Sequence, residues 1–350
     1  MKILIRATNW VGDAIMALPA LRAVRRRFPE AEIAILARPY VADIYREQEI
    51  CNQLIAYDSQ AKHAGIAGRE RLAAALQSQK FDVALLLQNA FDAALITRLA
   101  SIPERIGYRR DGRGPLLTHA IPVPEPGDIP RHERFYYLEL LRRAGLIERF
   151  PPAAEIRLDG IDAARIAGVR RLRGLGTTGP VIGISPGAAY GGAKRWLPER
   201  FIETAKQLSY PAVVFGSKSE RALCERVASA LGAYNLAGET TLGEFIELAA
   251  ACRLFLTNDS GAMHVASALC IPTIAVFGAT DDTTTGPAGP LARVVREHAE
   301  CSPCLLRECP IDHRCMTRVS AEKVAGAAFQ LLEESAPPWA HKAWIQEARS

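Results

Sequence analysis

Long apolar runs are missing from this 350-residue chain. Stretches such as Val83–Leu87 and Ile271–Phe277 fall far short of the roughly twenty residues a bilayer-crossing helix requires. A secretory leader is not evident: Arg6 interrupts any apolar core that could start at Met1, and no small-residue cleavage site precedes the first strong motif, so a cytoplasmic location is expected. No Gly-X-Y period, tandem repeat or low-complexity tract is visible. With 49% hydrophobic against 23% charged residues the chain can bury ordinary cores, and the length is about twice that of a typical single domain, so two comparable lobes are expected.

Several catalytic signatures are also absent. No G-x-G-x-x-G run joins the first strand to the first helix, which weakens a dehydrogenase reading, and no Gly-Lys-Ser/Thr loop marks a P-loop. Ser260, Asp259 and His264 are near in sequence, but Ser260 does not stand in a G-x-S-x-G elbow, so a hydrolase triad is disfavoured.

What is present is an alternation of strand and helix. Lys2–Arg6 reads as a strand and Ala14–Phe28 as one helix, followed by strand Glu32–Ala37, helix Gly68–Gln79, strand Phe81–Leu87 and helix Asp92–Ala100. The pattern lapses between Tyr108 and Pro152 except for a helix near His132–Ala144. It resumes with strand Val181–Ser185, helix Glu199–Leu208, strand Ala212–Phe215, helices Ser219–Leu231 and Leu242–Ala250, strand Leu254–Thr257, helix Ala262–Leu269 and strand Thr273–Phe277. Such alternation implies parallel sheets covered on both faces, hence an α/β fold of two Rossmann-like domains facing an interdomain cleft. The boundaries expected are 1–155, 156–325, and a segment 326–350 that could return to the first domain.

Ligands of open α/β sheets bind beyond the carboxyl ends of the strands, so residues just after strands deserve weight. Asp13 follows Gly12 where the first strand turns into a helix, either as a helix cap or as a general base. The Gly183–Trp196 stretch is a glycine-rich loop after a strand, closing in Lys194-Arg195, a pattern that can wrap phosphates or be only a flexible turn. The strongest local signal is the strand into Thr257-Asn258-Asp259-Ser260-Gly261 and a helix whose first turn carries His264; its amides and dipole suit an anion, and a merely well-capped helix is the bland alternative.

The net charge of +5 lies entirely in residues 1–150, which carry 22 Lys+Arg against 17 Asp+Glu. That excess suits an anionic small molecule or lipid head group better than a nucleic-acid duplex, for which no dense basic stripe is present, or it is a solvated surface. Cys301-x2-Cys304-x4-Cys309-x5-Cys315 departs from a paired C-x2-C zinc site; bound zinc, a conditional disulfide and a reduced loop all remain open, the last favoured.

Taken together, Asn9-Trp10-Val11-Gly12-Asp13 with Leu18-Pro19-Ala20-Leu21, Pro186-Gly187 through Lys194-Arg195-Trp196, and Thr257–Gly261 with His264 resemble the ADP-heptose:lipopolysaccharide heptosyltransferases, glycosyltransferase family 9. Trp10–Asp13 and Glu104-Arg105-Ile106-Gly107-Tyr108 look most like the heptosyltransferase II branch, and the likeness spans roughly residues 1–335. The resemblance implies a GT-B fold with the donor held mainly by the second lobe, and inverting transfer of heptose from ADP-L-glycero-D-manno-heptose to the lipopolysaccharide inner core, with heptosyl-Kdo2-lipid A as acceptor.

By the same resemblance Asp13 matches the catalytic base. Ser185, Lys194, Glu220, Thr241, Asp259, Ser260, Gly261 and His264 match donor contacts, with adenine near Thr240, Thr241 and Leu242. No metal or other cofactor is implied. Asn9, Arg105, Arg109, Arg113, Arg131 and His132, together with Arg110, are the candidate acceptor contacts in the basic first lobe, and peripheral contact with the cytoplasmic face of the inner membrane is expected. A family member with another acceptor, such as heptosyltransferase I, a sugar-nucleotide epimerase and a non-catalytic nucleotide-binding protein are the alternatives.

Overall fold

The computed structural model describes residues 1–335. The chain forms two compact units, one of residues Met1–Ile156 and the other beginning at Arg157.

The first unit is a six-stranded sheet made of β1 (Lys2–Arg6), β2 (Glu32–Ala37), β3 (Gln53–Ala56), β4 (Val83–Leu86), β5 (Glu104–Tyr108) and β6 (His119–Ile121). Their order is β3-β2-β1-β4-β5-β6, every neighbouring pair parallel. Continuous apolar runs form the middle strands because helices cover both faces: Leu4, Ile5, Ile33 and Leu86 are fully buried. The sequence pattern missed β5, whose first residues Glu104 and Arg105 are charged, the edge strands β3 and β6, whose half-exposed side chains carry little apolar signal, and also a helix at Pro39–Arg46.

The expected single helix Ala14–Phe28 is two, Val11–Met16 and Leu18–Arg27, parted at Ala17. Pro19 explains the break, because it has no N–H for the Ile15 carbonyl and its ring crowds the preceding turn. The short first helix carries Asp13.

The second unit repeats the plan with β7 (Ile182–Ser185), β8 (Ala212–Val214), β9 (Tyr234–Asn235), β10 (Leu254–Asn258), β11 (Thr273–Val276) and β12 (Ala292–Val295), in parallel order β12-β11-β10-β7-β8-β9. Its core gathers Ile184, Trp196, Phe201, Leu256, Val276 and Leu331. Trp196 is fixed edge-on to Phe201 and donates its indole N–H to the Val319 carbonyl at 3.0 Å. Helix Ala321–Glu334 packs against helix Pro198–Leu208 and strands β11 and β12. Residues 326–334, set apart by the sequence reading, therefore belong to the second unit, and the remainder of that segment from residue 336 lies outside the described residues.

Candidate active site

In the second unit the ends of β7, β10 and β11 bring the donor-side candidates together. Asn258, the last residue of β10, is fully buried and acts as a brace. Its Oδ1 accepts from the Trp196 amide at 2.9 Å and its Nδ2 donates to the Pro186 carbonyl at 2.8 Å, tying the loop after β7 to the end of β10. Lys194 is thereby held where its Nζ lies 2.6 Å from Asp259 Oδ2. Thr280, just after β11, donates its hydroxyl to the same oxygen at 2.6 Å.

Both charges are largely withdrawn from water, with 13% of the Lys194 side chain and 5% of the Asp259 side chain exposed, so each depends on the other for compensation. Lys194 Nζ also stands 4.8 Å from the centre of the Tyr190 ring. A cation placed this way can stabilise a diphosphate with little reorganisation.

Ser260 caps helix Gly261–Ala268: its Oγ accepts from the Met263 amide at 3.4 Å and lies 3.1 Å from Thr257 Oγ1. The Gly261 amide heads that helix, and His264 is buried in its first turn. Glu220 is also buried. Its Oε2 closes a capping box by accepting from the amide and hydroxyl of Ser217 at 2.8 and 2.7 Å, whereas Oε1 is buried without a hydrogen-bond partner. An acceptor left unsatisfied in this way is a strong candidate for a ligand hydroxyl.

Thr241 has a local structural task. Its hydroxyl and amide form a capping box with Glu244, whose carboxyl those bonds hold below the usual range. Ser185, buried at the end of β7, completes the spelling Gly183-Ile184-Ser185-Pro186-Gly187. A loop rather than a helix follows it, so no nucleophile elbow is built. A cavity of about 540 Å³ in this unit, lined by Arg157, Ile161, Arg165, Leu269 and Leu291, lies toward the amino ends of β11 and β12, away from this cluster.

In the first unit Asp13 is the third residue of its helix and half-exposed; Trp10 holds the cap position, so Asp13 is not the cap. A buried network supports the turn in front of it. Arg6, stacked over Tyr57, donates to the Ala7 carbonyl and, at 2.8 Å, to Asn9 Oδ1. The Asn9 amide donates to Gln88 Oε1 at 2.9 Å and its carbonyl accepts from Tyr40 at 2.7 Å. Burial lowers the Arg6 guanidinium to about 10. Asn9, expected to meet the acceptor, is thus occupied in shaping the turn that presents Asp13.

Two expected acceptor contacts need correction. Arg113 is fully buried, and its guanidinium donates to the carbonyls of Tyr108 and Gln88 and to Asn89 Oδ1. Arg105 points back toward the start of β5, donating to the carbonyls of Leu116, Ile102 and Pro103. Arg109, Arg110 and Arg131 are exposed, while His132 Nδ1 accepts from the Arg134 amide at 3.1 Å.

Sequence reasoning missed Asn258, Thr280 and Glu133. Burial, and after it the charge of Asp13, pushes the Glu133 carboxyl up, which places these two acids within reach of each other's fields. No local motif announces Glu133; Asn258 stands inside Thr257–Gly261, but its bracing role requires the fold. Among the described residues no group of three or more His, Cys, Asp or Glu side chains is arranged to hold a metal ion, and the cysteines are unbridged thiols. Cys315 is buried and its thiol is raised, first by burial and then by Cys301, Cys304 and Cys309.

Residues 69–314 match the family model for glycosyltransferase family 9 (heptosyltransferase). Lipopolysaccharide heptosyltransferase 2 of Salmonella typhimurium is 33% identical over 311 residues, covering 85% of this chain and 88% of that protein. The same enzyme of Escherichia coli is 32% identical with the same coverage. The solved structure of the E. coli ADP-heptose lps heptosyltransferase II superposes with a TM-score of 0.82 at 29% identity, over 96% of this chain and 100% of that one, which identifies the two parallel-sheet units as the GT-B architecture. This chain is a glycosyltransferase and belongs to glycosyltransferase family 9, the heptosyltransferases.

Proposed function

We propose that the protein transfers heptose, with inversion, from ADP-L-glycero-D-manno-heptose to heptosyl-Kdo2-lipid A of the lipopolysaccharide inner core. The observation that carries this reading is the cluster of Lys194, Asp259 and Thr280, together with the unsatisfied Glu220 Oε1 that lies against Gly187 in the loop after β7: one charged pole for a diphosphate and one acceptor for a ribose hydroxyl, both at the carboxyl ends of a Rossmann-like sheet. The likeness to heptosyltransferase 2 proteins supports the choice of sugar and acceptor.

In the reaction the acceptor hydroxyl gives its proton to the Asp13 carboxylate as its oxygen bonds to the anomeric carbon of heptose. The bond from that carbon to the phosphate oxygen breaks on the opposite face through an oxocarbenium-like state, and ADP leaves with the electron pair. Lys194 and the helix that begins at Gly261 stabilise the charge developing on ADP, so chelators should leave the rate unchanged. The acceptor docks on the first unit through Arg109 and Arg131, and through it the enzyme touches the cytoplasmic face of the inner membrane.

ADP release with ADP-heptose and a lipopolysaccharide truncated after its first heptose tests the proposal. A product one heptose heavier is expected. Transfer only to Kdo2-lipid A lacking heptose would reassign the acceptor, and ADP-heptose left intact with both acceptors would overturn the reading.

A further inference from the structure

The turn Tyr190–Lys194 that carries the cationic end of the donor cluster is gripped by a segment more than one hundred residues downstream. The Tyr190 hydroxyl donates to the Leu305 carbonyl at 2.8 Å. The Gly192 amide donates to Glu308 Oε1 at 2.9 Å, and the Ala193 amide to the Arg307 carbonyl at 2.9 Å. His313 Nε2 lies 3.0 Å from the Ala193 carbonyl, which fixes that nitrogen as the protonated one. Arg307 stands 5.2 Å from the centre of the Tyr190 ring, the same ring that Lys194 approaches. The amides of Gly192 and Ala193 and the Ala193 carbonyl, immediately before Lys194, are thus all held by this one segment.

Three features set this grip apart from ordinary loop packing. A Cβ at Gly191 would overlap the Arg307 backbone, and one at Gly192 would overlap the Glu308 carboxylate, so the glycine-rich spelling of the turn admits the segment at contact distance. His313 keeps a left-handed backbone, φ 57°, which costs a non-glycine residue energy and aims its ring at the turn. Glu308 is exposed, so the core does not depend on its side chain.

We propose that Glu308 and His313 are positioning residues that hold the Gly192–Ala193 stretch and so set the Lys194 ammonium for the donor diphosphate; this rests on the donor reading given above. Neither touches reacting atoms. Their effect passes through Lys194, and it should therefore disappear when Lys194 is gone.

ADP affinity measured by calorimetry on the full-length protein, together with the donor and acceptor KM values, tests this. Glu308→Ala should weaken ADP binding and raise the donor KM by about tenfold, as expected for losing a hydrogen bond to a charged acceptor, with the acceptor KM unmoved and the melting temperature within a degree or two of the parent. Glu308→Gln keeps an oxygen for the Gly192 amide and should recover most of the affinity. In the Lys194→Ala background Glu308→Ala should add nothing, because the two changes remove one effect. Unchanged ADP affinity in Glu308→Ala, or losses that simply add in the double variant, would overturn the positioning role. A Lys194→Ala protein that binds ADP like the parent would instead overturn the diphosphate reading itself and this inference with it.

Discussion

Glu220 Oε1 lies against Gly187 so closely that a Cβ at residue 187 would overlap the carboxylate. Gly187 follows β7 and Glu220 precedes the helix after β8, so the contact joins two post-strand loops. The missing side chain leaves room for a carboxylate whose other oxygen is pinned by Ser217.

Gly187→Ala should therefore act on the donor. Moving Glu220 breaks its capping box and closes the space beside Oε1, an overpacking that costs about 1–3 kcal/mol. The expected result is a donor KM raised by tenfold or more with the acceptor KM unchanged. Normal ADP titration of this variant would remove Glu220 from the ribose contact.

Asp13→Asn preserves the shape of the residue and removes the base. Turnover should fall by about 10²–10⁴-fold while ADP affinity stays near that of the parent. Because Asn is isosteric with Asp and residue 13 is half-exposed, the melting temperature should move little. Near-parental transfer by a well-folded Asp13→Asn protein would take the residue out of the mechanism.

How much of this could be read beforehand follows from where the information lies. Strands β1, β4, β7, β10 and β11 are buried on both faces, so their apolar runs were visible, and Asp13, Lys194 and Asp259 stood out because each follows such a strand. Edge strand β9 has two residues and left almost no pattern. Arg113 misled for a physical reason: an arginine in a polar loop reads as exposed, and only the fold shows three backbone and side-chain oxygens converging on it. Thr280 and Glu308 reach the site over separations of 21 and 116 residues, which no local spacing encodes.

The arginines of the first unit should separate into two classes. Arg113→Ala empties a fully buried site and leaves one buried and two part-buried acceptors without their donor, and should cost about 3 kcal/mol of stability, seen as a melting temperature lowered by several degrees. Arg109→Ala with Arg131→Ala should leave the melting temperature in place, raise the acceptor KM and flatten its dependence on ionic strength between about 0.05 and 0.5 M. A double variant with the salt sensitivity of the parent would show these two side chains to be only solvated charge.

Thiol reactivity should follow burial. Burial pushes the Cys224 and Cys252 thiols up to about 12 and also raises Cys315, whereas Cys301 is exposed. A disulfide reagent at neutral pH should modify Cys301 first and reach Cys224 and Cys252 only on unfolding. Rapid modification of Cys252 in the native protein, located by peptide mass, would contradict the packing around it.

Glu133 gives a pH signature with a definite sign. Its carboxyl is raised by burial and by the nearby charge of Asp13, against an opposing effect of Arg110. A carboxyl raised in the folded state binds its proton more tightly there than in the unfolded chain. Stability is therefore greatest below the ordinary glutamate range and falls as pH rises through the raised folded value. Glu133→Gln abolishes this titration, so the variant should match the parent in melting temperature near about pH 4 and exceed it near about pH 8. The gap should open between the ordinary glutamate range and the raised one. A melting-temperature difference that stays constant across the whole range would show that Glu133 keeps its solution acidity, and the field attributed to Asp13 at that position would have to be withdrawn.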